Sequence, residues 1–171
     1  KWATCNVGAN SPEEYGNYFA WGETATKSEY TTSLTSGLSI SWLQAQGIID
    51  GNSNLTPQYD AATANWGGTW RMPMKAELEE LKEECTWTWT TQNGVKGYKV
   101  TGPNGKSIFL PAAGYRYGSS LYHAGECALY WSSTPDESNR YNAYYLLFDS
   151  GGHYVYGNYR YNGLLVRPVS E

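Results

Sequence analysis

The chain has 171 residues, enough for one domain to bury a core without metals or many disulfides. Its formal net charge of -4 excludes the broad basic field on which nucleic-acid binding relies. Aromatics make up 16% of the chain, with 16 Tyr and 8 Trp against only 3 Phe, a bias toward rings that carry a polar handle and stay wet until they bind. No apolar run is long enough to span a membrane, so this domain is expected not to insert into one. The chain begins at Lys1, not Met, with no visible signal peptide, which reads as a trimmed form or as one domain of a longer protein. Cys5, Cys85 and Cys127 allow at most one bridge and leave the pairing open.

In chain order, Lys1 to Val7 reads as a short edge strand and Tyr15 to Trp21 as another. A first helix is predicted after the Thr56-Pro57 start signal, over Gln58 to Asn65, ending at Gly67-Gly68. A second is predicted after Pro73, from Lys75 to Glu84, with Leu78, Leu81 and Cys85 on one apolar stripe. The acidic residues between them read as a solvated face. Beyond Cys85 the period changes to two. Trp87 to Thr90 alternates, and Gly97 to Val100 and Lys106 to Leu110 flank a Gly102-Pro103-Asn104-Gly105 turn. Further short segments follow at Leu110 to Arg116, Tyr130 to Ser133, Ala143 to Phe148 and Val166 to Val169. Neither a linker nor an internal repeat appears, so residues 1–171 are expected to form one α+β domain.

Several of these segments form recognisable motifs. Trp66-Gly67-Gly68-Thr69-Trp70-Arg71-Met72-Pro73, Phe109 to Arg116, Tyr130-Trp131-Ser132-Ser133 and Val166-Arg167-Pro168-Val169 resemble, in this order, the major paralogous domain first described in Fibrobacter succinogenes and common in gut Bacteroidetes. The resemblance implies a C-type lectin-like fold, two helices packed on short twisted antiparallel sheets. It also implies an extracellular or cell-surface setting on secreted, lipid-anchored or pilus-tip proteins. Trp66, Trp70 and Trp131 are then expected to be buried scaffold. The Glu-Pro-Asn, Gln-Pro-Asp and Trp-Asn-Asp triplets of calcium-dependent lectins are missing, and no C-terminal cysteine pair of the formylglycine-generating kind is present. Neither sugar-bound calcium nor that oxidase chemistry is therefore expected, and no cofactor or metal is implied.

Residues 138–170 contain no Lys, Glu, Gln, Met or Trp, although these types fill 32 of the first 137 positions. Those five are the types that pyrimidine-ending codons cannot encode. The window resembles the variable region of a protein diversified by a retroelement, in which adenines of Asn codons are randomised. The bland alternative is the ordinary composition of a Tyr/Asn-rich β family. Both place a recognition surface here. Period two puts Tyr144, Leu146 and Phe148 on the scaffold face and Tyr145, Leu147 and Asp149 on the other. Val155 points inward between Tyr154 and Tyr156. The candidate ligand-binding set is Arg140, Tyr141, Tyr145, Leu147, Asp149, Tyr154, Tyr156, Asn158, Tyr159, Tyr161, Asn162 and Leu164, around a scaffold of Arg160, Gly163 and Val166.

Enzyme chemistry has little to stand on. His123 and His153 are the only histidines, and His123 precedes Cys127 without a visibly placed Asn or Asp to orient it. The sequence therefore points to a non-enzymatic, adhesin-like module recognising a protein or glycan. The alternative is a structural or pilus-assembly subunit whose tyrosine face is a subunit interface.

Overall fold

A computed structural model describes all residues, 1–171. Three helices come first: α1 (Ile40–Ala45), α2 (Ala61–Trp66) and α3 (Lys75–Glu84). Eight strands follow: β1 (Thr86–Gln92), β2 (Val95–Thr101), β3 (Ser107–Pro111), β4 (Tyr115–Tyr117), β5 (Ser120–Tyr122), β6 (Cys127–Pro135), β7 (Asn142–Asp149) and β8 (Gly152–Tyr159). They form three antiparallel sheets, in the orders β1-β2-β3, β4-β5 and β6-β7-β8. The architecture is mixed, with few helices and mostly small antiparallel sheets. No helix is long and apolar enough to cross a membrane.

The helix expectations need two corrections. The predicted first helix is split: Pro57–Tyr59 form a single 3-10 turn, and α2 starts only after Asp60. Asp60 Oδ1 accepts the N–H groups of Ala62 and Thr63 at 2.9 and 3.0 Å, and both its carboxylate oxygens accept Met72 N–H. A capping side chain takes extended backbone, so the residue placed inside the helix instead begins it. Helix α1 was not anticipated, although Ser39 supplies the cap, accepting Trp42 N–H at 3.2 Å. The N-terminal segments expected as strands make only isolated bridges, Trp2 with Val169 and Phe19 with Leu164.

The predicted hairpin is present: β2 and β3 pair from Thr101–Ser107 to Gly97–Pro111, closed by Gly102 N–H to Lys106 O at 2.9 Å. The core lies on both sides of the β6-β7-β8 sheet. One cluster holds Phe19, Trp21, Leu43, Trp131, Tyr145 and Leu164. The other holds Leu78 and Leu81 of α3 with Tyr98, Tyr130, Leu146 and Phe148. Strand β7 feeds both clusters, because it is the central strand and each of its faces is covered. Trp131 is fully buried, and its indole N–H donates to Phe19 O at 2.7 Å. Trp66 and Trp70, also expected to be buried, are only partly so; they pack edge to face on each other with ring centroids 5.3 Å apart. All three cysteines are free.

Candidate functional site

Strand β8 is an edge strand, paired only with β7. Its side chains alternate. Val155 packs inward against the second cluster, while Tyr154 and Tyr156 stand on the opposite face, exposed and stacked with centroids 5.6 Å apart and planes 6° from parallel. At the end of the strand, Tyr159 forms a second stack with Tyr161, 5.2 Å and 11°. Tyr156 and Tyr159 are about half exposed, at 52% and 50%. Aromatic pairs of this geometry are held parallel without any partner, so their edges are pre-ordered for contact.

The Tyr159–Tyr161 stack extends as a band into a hairpin that the sequence reading left out of the site. Tyr117 of β4 lies 6.3 Å from Tyr161, Tyr122 of β5 lies 6.4 Å from Tyr117, and Tyr115 stacks on Tyr122 at 5.9 Å. Tyr117, Leu121 and Tyr122 are all exposed. The missed signal was Gly118, whose φ of +59° supplies the left-handed backbone that a two-residue hairpin turn requires. The hairpin is fastened to the C-terminal segment by reciprocal hydrogen bonds between Arg116 and Gly163, at 2.8 and 2.9 Å. A Cβ on Gly163 would sit 2.8 Å from the Tyr30 ring and 3.1 Å from Arg116 Cβ, so glycine permits this approach.

Of the candidate set, Arg140, Tyr141, Asp149, Tyr154, Tyr156 and Tyr159 are exposed, and Leu147, Asn158 and Tyr161 are half-buried. Three are corrected. Tyr145 is only 8% exposed, its ring edge-on to Trp131 at 6.4 Å. It faces away from Leu146 as expected, but the face it occupies is the first core cluster. Leu164 is fully buried and exchanges both backbone hydrogen bonds with Phe19. Asn162 is buried in the turn after β8, its amide donating to Asn158 Oδ1 at 3.0 Å. Tyr145 instead underlies the band: burial pushes its phenol up to about 12, with Cys127, Tyr156 and Tyr115 close enough to add to the effect. Arg160, Gly163 and Val166 are buried, as a scaffold role requires.

Arg160 has a specific task. Its Nη1 donates to Thr35 O and Leu38 O, both at 2.8 Å, and its Nε donates to Asn142 O at 2.9 Å. No carboxylate bonds it, and burial pulls its guanidinium down to about 10. The side chain ties the loop before α1 to the start of β7.

Around His123 the chemistry is quiet. Its Nδ1 meets Glu126 Oε2 at 3.0 Å on the surface. Cys127 is half-buried, and burial pushes its thiol up to about 11, away from the thiolate that a nucleophile needs. No group of three or more His, Cys, Asp or Glu side chains is arranged to hold a metal ion. The arrangement is a surface of stacked phenols with adaptable Asn, Ser and Gly neighbours, suited to contact with a partner.

No curated protein and no solved structure matches the chain. The model of the Lcl C-terminal domain matches residues 2–170, and the chain belongs to that family.

Proposed function

We propose that this domain is an extracellular or cell-surface recognition module that binds a protein or glycan partner through its tyrosine band, and that its fold is of the C-type lectin-like kind. Membership of the Lcl C-terminal domain family is consistent with a surface-associated ligand-binding module at a general level. The carrying observation is the continuous chain of rings from Tyr159 and Tyr161 through Tyr117 to Tyr122, with Tyr154 and Tyr156 exposed on the same C-terminal segment. Tyrosine offers large contact area at low entropy cost, and a few aromatic anchors dominate binding energy at interfaces. The fold reading is supported by helix α3 lying against short antiparallel sheets and by the pairing of Trp2 with Val169 near the two ends. Diversification of residues 138–170 by a retroelement belongs to the same proposal. It is supported by the missing residue types and by the exposure of Tyr141, Tyr154, Tyr156 and Tyr159 in that window.

The test is a panel of extracellular proteins and glycans probed with the native domain and with a variant carrying Tyr154→Ser, Tyr156→Ser, Tyr159→Ser and Tyr161→Ser. Binding that is lost in the variant supports the proposal, and binding that survives overturns it. Self-association that disappears with the same substitutions would instead identify the band as a subunit interface. A template repeat and a reverse-transcriptase gene beside the coding sequence test the diversification directly.

A further inference from the structure

Away from the flat aromatic band, a cleft of about 580 Å³ opens between α1 and the β6–β7 connection. Ser39, Ile40, Ser41 and Gln44 form one wall, and Asp136, Glu137, Ser138 and Arg140 form the other. Only Ile40 is apolar. The volume lies in the range of small-molecule sites, but the lining is far more polar than a drug-like ligand would select.

The lining also has a particular balance of charge. Asp136 and Glu137 bring two carboxylates, and Arg140 brings one guanidinium. Arg160 lies behind the wall and not in it, fully buried and bonded to backbone carbonyls. The lining itself therefore carries two negative charges against one positive. An anionic ligand would meet two carboxylates, and a cationic one the Arg140 guanidinium. What remains is dense hydrogen-bonding capacity. Ser39 and Ser41, whose hydroxyls lie 3.2 Å apart, and Ser138 keep lone pairs that can accept, the Gln44 amide donates and accepts, the carboxylates accept, and Arg140 donates. Asp136 Oδ1 is engaged by Ser138 N–H and Oγ–H at 2.9 and 2.7 Å, and Glu137 Oε2 by the Tyr144 hydroxyl at 2.9 Å. Each carboxylate is thereby oriented while its second oxygen keeps its lone pairs.

The walls are fixed before any ligand arrives. Gly37 N–H donates to Arg140 O at 3.0 Å, and the Arg160 clamp holds Thr35 and Leu38 to Asn142. At the Arg140 end, the exposed Tyr141 ring adjoins Gly37 and lies 5.5 Å from the guanidinium carbon. It gives the rim one aromatic surface on which an apolar ring face could rest.

We infer that this cleft is a binding site for a neutral saccharide, whose hydroxyls meet Ser39, Ser41, Gln44, Glu137 and Ser138 while its C–H face meets Tyr141. The lining shares no residue with the tyrosine band, and its occupation does not depend on what the band recognises.

Saturation-transfer NMR on the native domain tests this, using methyl α-mannoside, methyl β-galactoside and methyl β-N-acetylglucosaminide as probes. At least one is expected to receive transfer and to shift the amide signals of Ser41, Gln44 and Ser138. Ser41→Trp fills the cleft from an exposed helix position, and Glu137→Ala removes an acceptor; each should weaken binding about tenfold or more, a free-energy change near 1.4 kcal/mol. The four-serine variant of the tyrosine band should bind the glycoside unchanged, so the two proposals fail separately. Three outcomes would overturn the inference: no transfer to any of the glycosides, transfer that survives Ser41→Trp, or preference for glucosamine or a sulfated disaccharide over the neutral probes.

Discussion

Tyr117 and Tyr161 meet ring to ring, 6.3 Å apart, although 44 positions separate them and only one lies within residues 138–170. The contact makes the β4–β5 hairpin and the C-terminal segment one surface. Any partner that contacts Tyr159 and Tyr161 also faces Tyr117 and Tyr122. The hairpin is then a fixed platform beside the window in which diversification is proposed.

A first prediction separates the exposed tyrosines from the buried one. Changing the exposed Tyr154, Tyr156 and Tyr159 and the half-buried Tyr161 together to Ser should cost at most about 2 kcal/mol, since surface positions usually cost within about 0.5 kcal/mol each. Tyr145→Ala should behave differently. Its ring fills the space beside Trp131 in the first core cluster, and the loss should be about 3 kcal/mol. Denaturant melts of both variants check this. A stable Tyr145→Ala protein would place Tyr145 outside the core.

Trp131→Ala should cost about 3–5 kcal/mol, through both the cavity and the lost hydrogen bond to Phe19 O. Trp66→Ala should cost clearly less, because Trp66 only borders the same cluster. Equal losses in urea melts would contradict that difference in burial.

The alternation of β8 was legible in the sequence, and so were the β2–β3 hairpin, helix α3 and the outward placement of Tyr154 and Tyr156. Each depends on local spacing alone. Asn162 and Leu164 lie beyond β8 and are buried by tertiary contacts, the turn bond to Asn158 and the bridge to Phe19, and Tyr145 was misplaced for a different reason. Period two says which residues share a face but not whether that face is covered. Strand β7 is covered on both faces because β6 and β8 flank it and a core cluster lies on each side. The hairpin half of the site was missed because its link to the C-terminal segment is a tertiary contact, made through Gly163 and Arg116.

Calcium should be dispensable for folding. Melting with and without a chelator is expected to give the same midpoint. A drop of several degrees would show that a tightly held ion is lost on unfolding.

Acid should weaken the fold partly through Glu77. Burial raises its pKa, but the bidentate pair with Arg71 at 2.7 and 2.9 Å and the Met74 N–H outweigh this and hold it below the usual carboxylate range. A depressed folded-state pKa contributes stability that is present above the unfolded value of 4.5 and is lost as pH falls through the folded value. Glu77→Gln should therefore lower the melting temperature at pH 7 and flatten its decline below pH 4.5. Parallel curves for the two proteins would show that the ion pair contributes nothing to acid sensitivity.

Arg160 should resist even conservative replacement. A guanidinium reaches Thr35, Leu38 and Asn142 carbonyls at once, whereas a lysine ammonium is a single point on a flexible stem and cannot span both walls. Arg160→Lys should leave at least one buried carbonyl unpaired, at ~1–3 kcal/mol for each such group. The damage should also be local. Gly37 N–H, bonded to Arg140 O across the same junction, should lose hydrogen-exchange protection more than the amides of β7 and β8. Two results together would show that Arg160 does not hold the loop before α1 in place: an unchanged melting temperature and unchanged exchange at Gly37. If instead the protection of Gly37 and the binding of the neutral glycosides fall together, the clamp and the cleft are one device, with the buried arginine setting the distance between the walls.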